Sequence, residues 1–504
     1  MAATQSGKKG MSPRLKQILI GGICIILVVA LAAGIVANTR RKNGTALKKS
    51  DAITVNDVDY KALDVSFYYN VFKNQYASYN DQIYASYGFK LYDADFSKSL
   101  FDQTYDQETG LSWGDYLVDQ AVETLYNYIV LETAGKAAGY EMPEEAYTSI
   151  DETVKALETS ASNNNVTVAY LLTANYGTGV TLEKFREMAE REAYASYYGQ
   201  YVRDNIEVSQ DDIDSYYGEH TDDFDGVTYR SFVLEVELPE HTDENGKVVS
   251  DDATKAEDEA IIAEKLAELK KRVDEVTSEK DFTDLAEEMT RSTDSEGKEV
   301  PGVTPEETLT EDVSYSSMSE DLQKWMFAAE RKAGDTTILE NSAKLTAYYF
   351  VERDTHEYLT RNVRHILLTS DEESDEVKAK AEELLAQWET GDKTAEAFGE
   401  LAKANSADTG SVNEGGLYEN VGRGEMVEEF DAWLYDEARK PGDTGIVFTD
   451  DFGYHIMYYA GEGRAYRDVL VDSTIRDERY EAYTEELEKT YPLTRIESGL
   501  SKIK

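Results

Sequence analysis

The chain holds only five histidines in 504 residues, and two of them stand inside strand-like apolar runs. His365 lies in Val363-Arg364-His365-Ile366-Leu367-Leu368, and His455 in Tyr454-His455-Ile456-Met457-Tyr458-Tyr459. Asp408 falls between them, in Ser406-Ala407-Asp408. Two imidazoles and a carboxylate offer two kinds of chemistry. They can bind a metal as a facial triad, or they can hydrogen-bond in series, each ring fixing the tautomer of the other. The spacings are wide and no other iron-enzyme pattern accompanies them, so no metal and no other cofactor is expected. The sequence also lacks a phosphate-cradling glycine loop and a nucleophile elbow. An aspartate could in principle attack covalently. Met426 and Phe430 stand four apart, the spacing that puts two side chains on one face of a helix. There they could line a pocket or simply fill core.

Between the histidines run Phe398-Gly399-Glu400-Leu401-Ala402, Gly415-Gly416 and Gly422-Arg423-Gly424-Glu425-Met426-Val427-Glu428-Glu429-Phe430. Phe452-Gly453-Tyr454-His455 closes the series. This order resembles the parvulin family of peptidyl-prolyl cis-trans isomerases. The resemblance implies an α+β fold, an antiparallel sheet with surrounding helices, and a reaction, rotation about an X-Pro peptide bond. It also implies that the strands of His365 and His455 are neighbours whose imidazoles orient a third polar group. Asp408, at a position the family fills with Asp or Cys, would perturb the bound amide electrostatically. Tyr418, Met426 and Phe430 would hold the proline ring. Two departures stand out. Many members carry Gly-Gly-Asp-Leu-Gly, whereas here Gly415-Gly416 is followed by Leu417-Tyr418-Glu419. Tyr418 thus falls where Leu is usual, changing the pocket wall or adding a hydrogen-bond donor. The segment Asp371-Glu372-Glu373-Ser374-Asp375-Glu376 is acidic where phospho-specific members place Arg and Lys, which excludes phosphoserine-proline specificity.

Residues 227–352 read as a second copy of the same pattern. Tyr229-Arg230-Ser231-Phe232 parallels Val363-Arg364-His365-Ile366, Phe282 parallels Phe398, and Trp325 parallels Trp433. Thr346-Ala347-Tyr348-Tyr349 parallels Tyr454-His455-Ile456-Met457, so the two histidine positions fall to Ser231 and Ala347. A degenerate repeat that keeps the fold without the chemistry is expected. Upstream, Ile53-Thr54-Val55 reads as a strand and Asp59 to Tyr79 as a helix. Ser112 is a plausible N-cap for a helix from Trp113 to Ala138, with Leu117, Ala121, Leu125 and Tyr128 on one face. Further helix is expected from Pro143 to Ser160, from Leu182 to Val202 and from Asp472 to Lys489. Ser209 is an N-cap with acidic residues in the turn behind it. In order, these segments loosely resemble PrsA- and SurA-type foldases.

Ile18 to Ala37 is an uncharged apolar run long enough to span a bilayer. Cys24, the sole cysteine, sits within it behind Ile23, which argues against a lipoprotein signal and forbids an intrachain disulfide. Lys and Arg flank the run almost evenly, so the positive-inside rule gives no orientation. Long domains translocate largely regardless of charge, and the resembled proteins are exported, so the large domain is expected outside the cytoplasm. The net charge is −49 although residues 1–49 carry nine basic and no acidic side chains, so the rest carries −58. That excludes nucleic acid as a partner. It serves solubility, or attracts basic clients or cations at a cell wall. The expected organisation is a tail (1–17), a membrane anchor (18–37), a linker (38–50) and a helical chaperone-like domain (51–226). A degenerate parvulin-like domain (227–354), a parvulin-type domain (355–465) and a C-terminal helix (466–504) returning toward the helical domain complete it. The expected partners are exported, unfolded or partly folded proteins with X-Pro bonds, and a homodimer is left open. The alternative is a non-catalytic holdase using parvulin folds as client-binding modules.

Overall fold

A computed structural model describes residues 44–242, 248 and 250–503. The expected anchor at 18–37 lies outside the described residues, among which no helix is long and apolar enough to cross a membrane. The described chain forms two compact units, 44–207 with 476–503, and 208–475.

In the first unit, β1 (Asp51–Val55) and β2 (Val58–Lys61) form a hairpin. Asn56 and Asp57 turn it at φ of 50° and 59°, left-handed values that these side chains tolerate. The hairpin claims the residues from Asp59 that were expected to open a helix, so α1 begins later, spanning Ala62–Tyr87. Helix α2 (Trp113–Ala138) starts where Ser112 accepts the Asp115 amide and stops at Gly139, whose φ of 73° only glycine adopts readily. Its buried Leu117, Ala121, Leu125 and Tyr128 follow the helical period. Helices α3 (Glu144–Asn163) and α4 (Leu182–Asp204) extend this bundle. Strand Leu493–Arg495 returns to pair antiparallel with β1, placing Arg495 opposite Ile53.

The second unit contains two antiparallel four-stranded sheets. The first is built from β3 (Gly226–Glu235), β4 (Leu309–Ser314), β5 (Thr336–Asn341) and β6 (Lys344–Asp354), in the order β4-β3-β6-β5. Helices α5 (Asp252–Val273) and α6 (Glu279–Thr290) pack on one face, around Phe232, Leu269, Phe282 and Ala347. Helix α7 (Glu320–Met326) covers the other, around Val227, Leu322, Met326 and Phe350. The second sheet comprises β7 (Leu359–Thr369), β8 (Leu417–Val421), β9 (Thr444–Thr449) and β10 (Gly453–Ala465), in the same order, β8-β7-β10-β9. Here α8 (Asp375–Thr390) and α9 (Ala395–Asn405) bury Ile366, Trp388, Phe398 and Ile456. Helix α10 (Glu428–Leu434) lies over Val363, Phe430, Met457 and Tyr459. The likeness reaches single contacts. The Arg331 guanidinium lies 3.8 Å from the Trp325 ring and donates to the Trp325 carbonyl, as Arg439 does at 3.9 Å over Trp433.

One expected correspondence is corrected. The β9–β10 turn holds Asp450, Asp451 and Phe452, whereas the β5–β6 turn holds only Ser342 and Ala343. Met457 pairs with His365, and Tyr348 with Ser231. The counterpart of His455 is therefore Thr346, while Ala347 corresponds to Ile456 and sits in the helix-covered core. A one-residue slip moves every strand side chain to the opposite face.

His356 lies in the connection between β6 and β7. Its Nδ1 lies 2.7 Å from the Phe224 carbonyl and its Nε2 2.7 Å from Asp312 Oδ1, two groups that only accept. Both ring nitrogens are satisfied as donors when the ring is an imidazolium. Gly226 lacks the Cβ that would collide with the Asp312 carboxylate. Burial opposes the charge at His356, but Asp312, the Phe224 carbonyl and Asp354 outweigh it and raise the pKa. A raised folded pKa supplies stability that is complete below the unfolded value of about 6.5 and is lost as pH rises through the folded one. Thermal unfolding followed from pH 6 to 9 should show this alkaline loss, and His356→Gln should remove it.

Candidate active site

Strands β7 and β10 are antiparallel neighbours, with His365 opposite Met457 and His455 opposite Leu367. The two imidazoles are thus diagonal neighbours on one face, close enough to touch. Their planes lie 14° apart with centroids 5.3 Å apart, and Nδ1 meets Nδ1 at 3.1 Å. Each residue is only 5% exposed. Asp408 arrives on the loop after α9. That loop is pinned to β7 because the Ala407 amide donates to the Leu367 carbonyl and the Leu367 amide to Ser406 Oγ. The Asp408 carboxylate then lies 2.7 Å from His365 Nε2. Gly415 and Gly416, at φ of 68° and 72°, let β8 come close beside His365 on β7. A Cβ at Gly416 would strike the His365 carbonyl, which is the close neighbour its own carbonyl binds through the His365 amide at 2.8 Å.

The proton position at His365 follows from the carboxylate end of the series. The carboxylate only accepts, so His365 donates from Nε2. One proton joins His365 Nδ1 to His455 Nδ1, and His455 Nε2 meets the Thr449 hydroxyl at 3.1 Å. Thr449, His455, His365 and Asp408 thus form one continuous hydrogen-bonded series. Burial, then the neighbouring His365, push the His455 pKa down to about 4. Asp408 is held well below the usual carboxylate range, chiefly by the His365 hydrogen bond, with Ser411 and the Gly410 amide adding to it. The groups bond in sequence instead of converging on one point, and no described cluster of His, Cys, Asp and Glu has the geometry to hold a metal ion.

The apolar side is built by α10 and the turn before it. Phe430, 2% exposed, stands edge-on to both imidazoles at 5.5 and 5.4 Å. Met426 and Tyr418 are half-buried against the same cluster. Met426 was expected one helical turn before Phe430, but it lies outside the helix. Val427 is the N-cap and Gly424 takes a φ of 71°, so a turn carries Met426 into the cluster. Tyr418 does more than line the wall, since its hydroxyl donates to Asp408 Oδ2 at 3.0 Å.

Residues 365–461 match the family described as "Rotamase: PPIC-type PPIASE domain". This module is a rotamase domain of the parvulin type. Foldase protein PrsA 1 of Listeria monocytogenes serovar 1/2a is 33% identical over 128 residues, covering 25% of this chain and 37% of that protein. Chaperone SurA of Hahella chejuensis is 39% identical over 97 residues, 19% of this chain and 21% of its own. The match thus spans well under half the length of these relatives. The solved structure of PrsA from Bacillus subtilis covers 77% of this chain and 90% of its own, at 14% identity and a TM-score of 0.29.

The rotamase domain also uses two residues that sequence reading did not single out. Ser411 donates to Asp408 Oδ2, and Thr449 closes the far end of the series. Ser411 carried a local signal, a hydroxyl three residues beyond the aspartate. Thr449 carried one only through the hairpin register that sets it opposite Gly453.

A neutral, buried His455 has a consequence for acid stability. Its folded pKa lies below the unfolded value, so its stabilisation is complete above about pH 6.5 and is lost as pH falls toward 4, on the order of 3 kcal/mol. Urea unfolding read by the rotamase-domain tryptophans Trp388 and Trp433 should weaken between pH 6.5 and 4. His455→Gln should be less stable at pH 7 and lose little further over that interval. Identical slopes for both proteins would overturn the account of a neutral His455.

Proposed function

We propose that this protein is a membrane-anchored, extracytoplasmic peptidyl-prolyl cis-trans isomerase and chaperone that assists the folding of exported proteins. The observation that carries the reading is the hydrogen-bonded series from Thr449 to Asp408 lying beside the apolar cluster around Phe430. Amide rotation faces a barrier of about 18–20 kcal/mol and slows X-Pro bonds to tens of seconds or more. A catalyst must bind the twisted amide better than either planar form. Phe430, Met426 and Tyr418 would seat the proline ring away from water. Asp408, ionised and held in place, presents negative charge where the carbonyl loses its resonance with nitrogen. Its existing hydrogen bonds occupy it as an acceptor, which favours an electrostatic role over covalent attack.

The sheet at 226–354 would serve as a degenerate parvulin-like module. Ser231 and Thr346 stand where the imidazoles would be, while Met318 and Leu322 keep an apolar side. Residues 18–37 would anchor the chain, with the large region outside the cytoplasm. This part of the proposal rests on the apolar run and on the likeness to PrsA and SurA.

Two measurements test the reading. In a prolyl-tetrapeptide isomerisation assay, Asp408→Asn should lower kcat/KM at least about tenfold while the melting temperature changes little, because the isostere loses charge and keeps shape. Met426→Ala should raise KM, by an amount equivalent to about 1–3 kcal/mol. An inactive wild type that still suppresses client aggregation would establish the holdase alternative. Full activity in Asp408→Asn would remove the carboxylate from the mechanism. Independently, protease added to intact cells should digest the large region, and its complete protection would reverse the orientation.

A further inference from the structure

We infer that Tyr418 is a positioning residue acting through Asp408, in which its hydroxyl fixes the orientation of the carboxylate and helps to keep it ionised. The inference deepens the isomerase reading and rests on it.

Strand β8 places Tyr418 opposite Val363, two residues before His365 on β7. The ring packs in the apolar cluster, 5.5 Å from the His365 ring, and so delivers its hydroxyl to the polar series from the slot side. Asp408 Oδ2 receives three donors, His365 Nε2–H, the Ser411 hydroxyl and the Tyr418 hydroxyl. Oδ1 receives one, the Gly410 amide at 3.0 Å. The carboxylate is therefore clamped by one oxygen, and the other keeps capacity for a bound amide. Gly410 makes the clamp possible, since a Cβ there would lie 2.9 Å from the Tyr418 oxygen.

The charged and titratable groups around the carboxylate are few. His365 faces it from β7 and Tyr418 from β8, while His455 stands one ring further away. No Lys or Arg side chain bonds to it among the described residues. The anion is thus held by an imidazole, two hydroxyls and a peptide amide, with no formal side-chain cation of Lys or Arg bonded to it. Burial, and then Asp408 itself, push the Tyr418 pKa up, so the phenol remains a donor across the working range. The leucine usual at this position has no such donor.

The test compares Tyr418→Phe with Tyr418→Leu in the whole chain, because phenylalanine removes only the hydroxyl and leucine removes the ring as well. In prolyl-peptide isomerisation, Tyr418→Phe should move the acid limb of kcat/KM upward by at least about half a pH unit. It should also lower the plateau roughly three- to tenfold with KM unchanged. Tyr418→Leu should show the same acid limb and a raised KM. An unmoved acid limb and plateau in Tyr418→Phe, or a change in KM alone, would reduce Tyr418 to a slot wall and overturn the inference. Selective ¹³C labelling of aspartate carboxyl carbons, with Asp408 assigned through Asp408→Asn, reads the same group without turnover. Its titration midpoint should rise in Tyr418→Phe, and an unchanged midpoint would overturn the inference. An inactive wild type would defeat the isomerase reading separately, leaving the carboxyl titration to decide this one.

Discussion

A hydrogen bond between two buried imidazoles is the constraint on which the rest of the rotamase domain depends. Two rings 3.1 Å apart, nitrogen to nitrogen, can share one proton only if one donates and the other accepts. Each outer nitrogen then needs a partner, a hydroxyl for His455 and an acceptor for His365. Thr449 and Asp408 are those partners, and they come from separate elements of the module, the last residue of β9 and the loop after α9. Both strand neighbours, both loops and the paired glycines that admit β8 beside His365 serve this one geometry. A half-satisfied buried network is more costly than an apolar core, so these parts stand or fall together.

The first sheet shows the same scaffold without that constraint. Its strand order, helix placement and Trp–Arg clamps are those of the second. With Ser231 and Thr346 on the corresponding face there is no imidazole to orient, and the hairpin is one residue shorter. Fold and chemistry are therefore separable in this chain. The apolar cores of the two modules carry the architecture, and the polar series is an addition to one face of one of them.

Much of this was legible because it is local. Helix α2 could be bounded at both ends, since its N-cap hydroxyl and the glycine behind it act within one turn. His365, His455 and Asp408 could be named because their order along the chain resembles that of the parvulin family. What was hidden depends on residues far apart in sequence. The hairpin that displaces the start of α1 is stabilised by pairing with β1, and β1 in turn pairs with a strand near residue 494, so tertiary context overrides the helical pattern. Met426 looked helical by spacing alone, but a glycine in a left-handed conformation two residues earlier stops the helix from reaching it. Thr449 and Thr346 could not be placed without the turn lengths, because a strand pattern of period two does not reveal which face a hairpin will give each residue.

The pairing of β1 with Leu493–Arg495 has a consequence for the order in which the chain can become structured. The unit at 208–475 is continuous in sequence, so all of its partners are present once residue 475 has emerged during synthesis. The other unit takes segments from both sides of it and cannot complete its small sheet until residues 493–495 have been made. Closing that contact joins segments more than four hundred residues apart, a long loop whose entropy opposes early formation. The unit that carries the rotamase domain therefore has all its partners first, and the helical unit remains unsealed during that interval. An unsealed sheet edge is a template for pairing with other chains, so the newly made protein passes through a period in which its own β1 is the exposed strand.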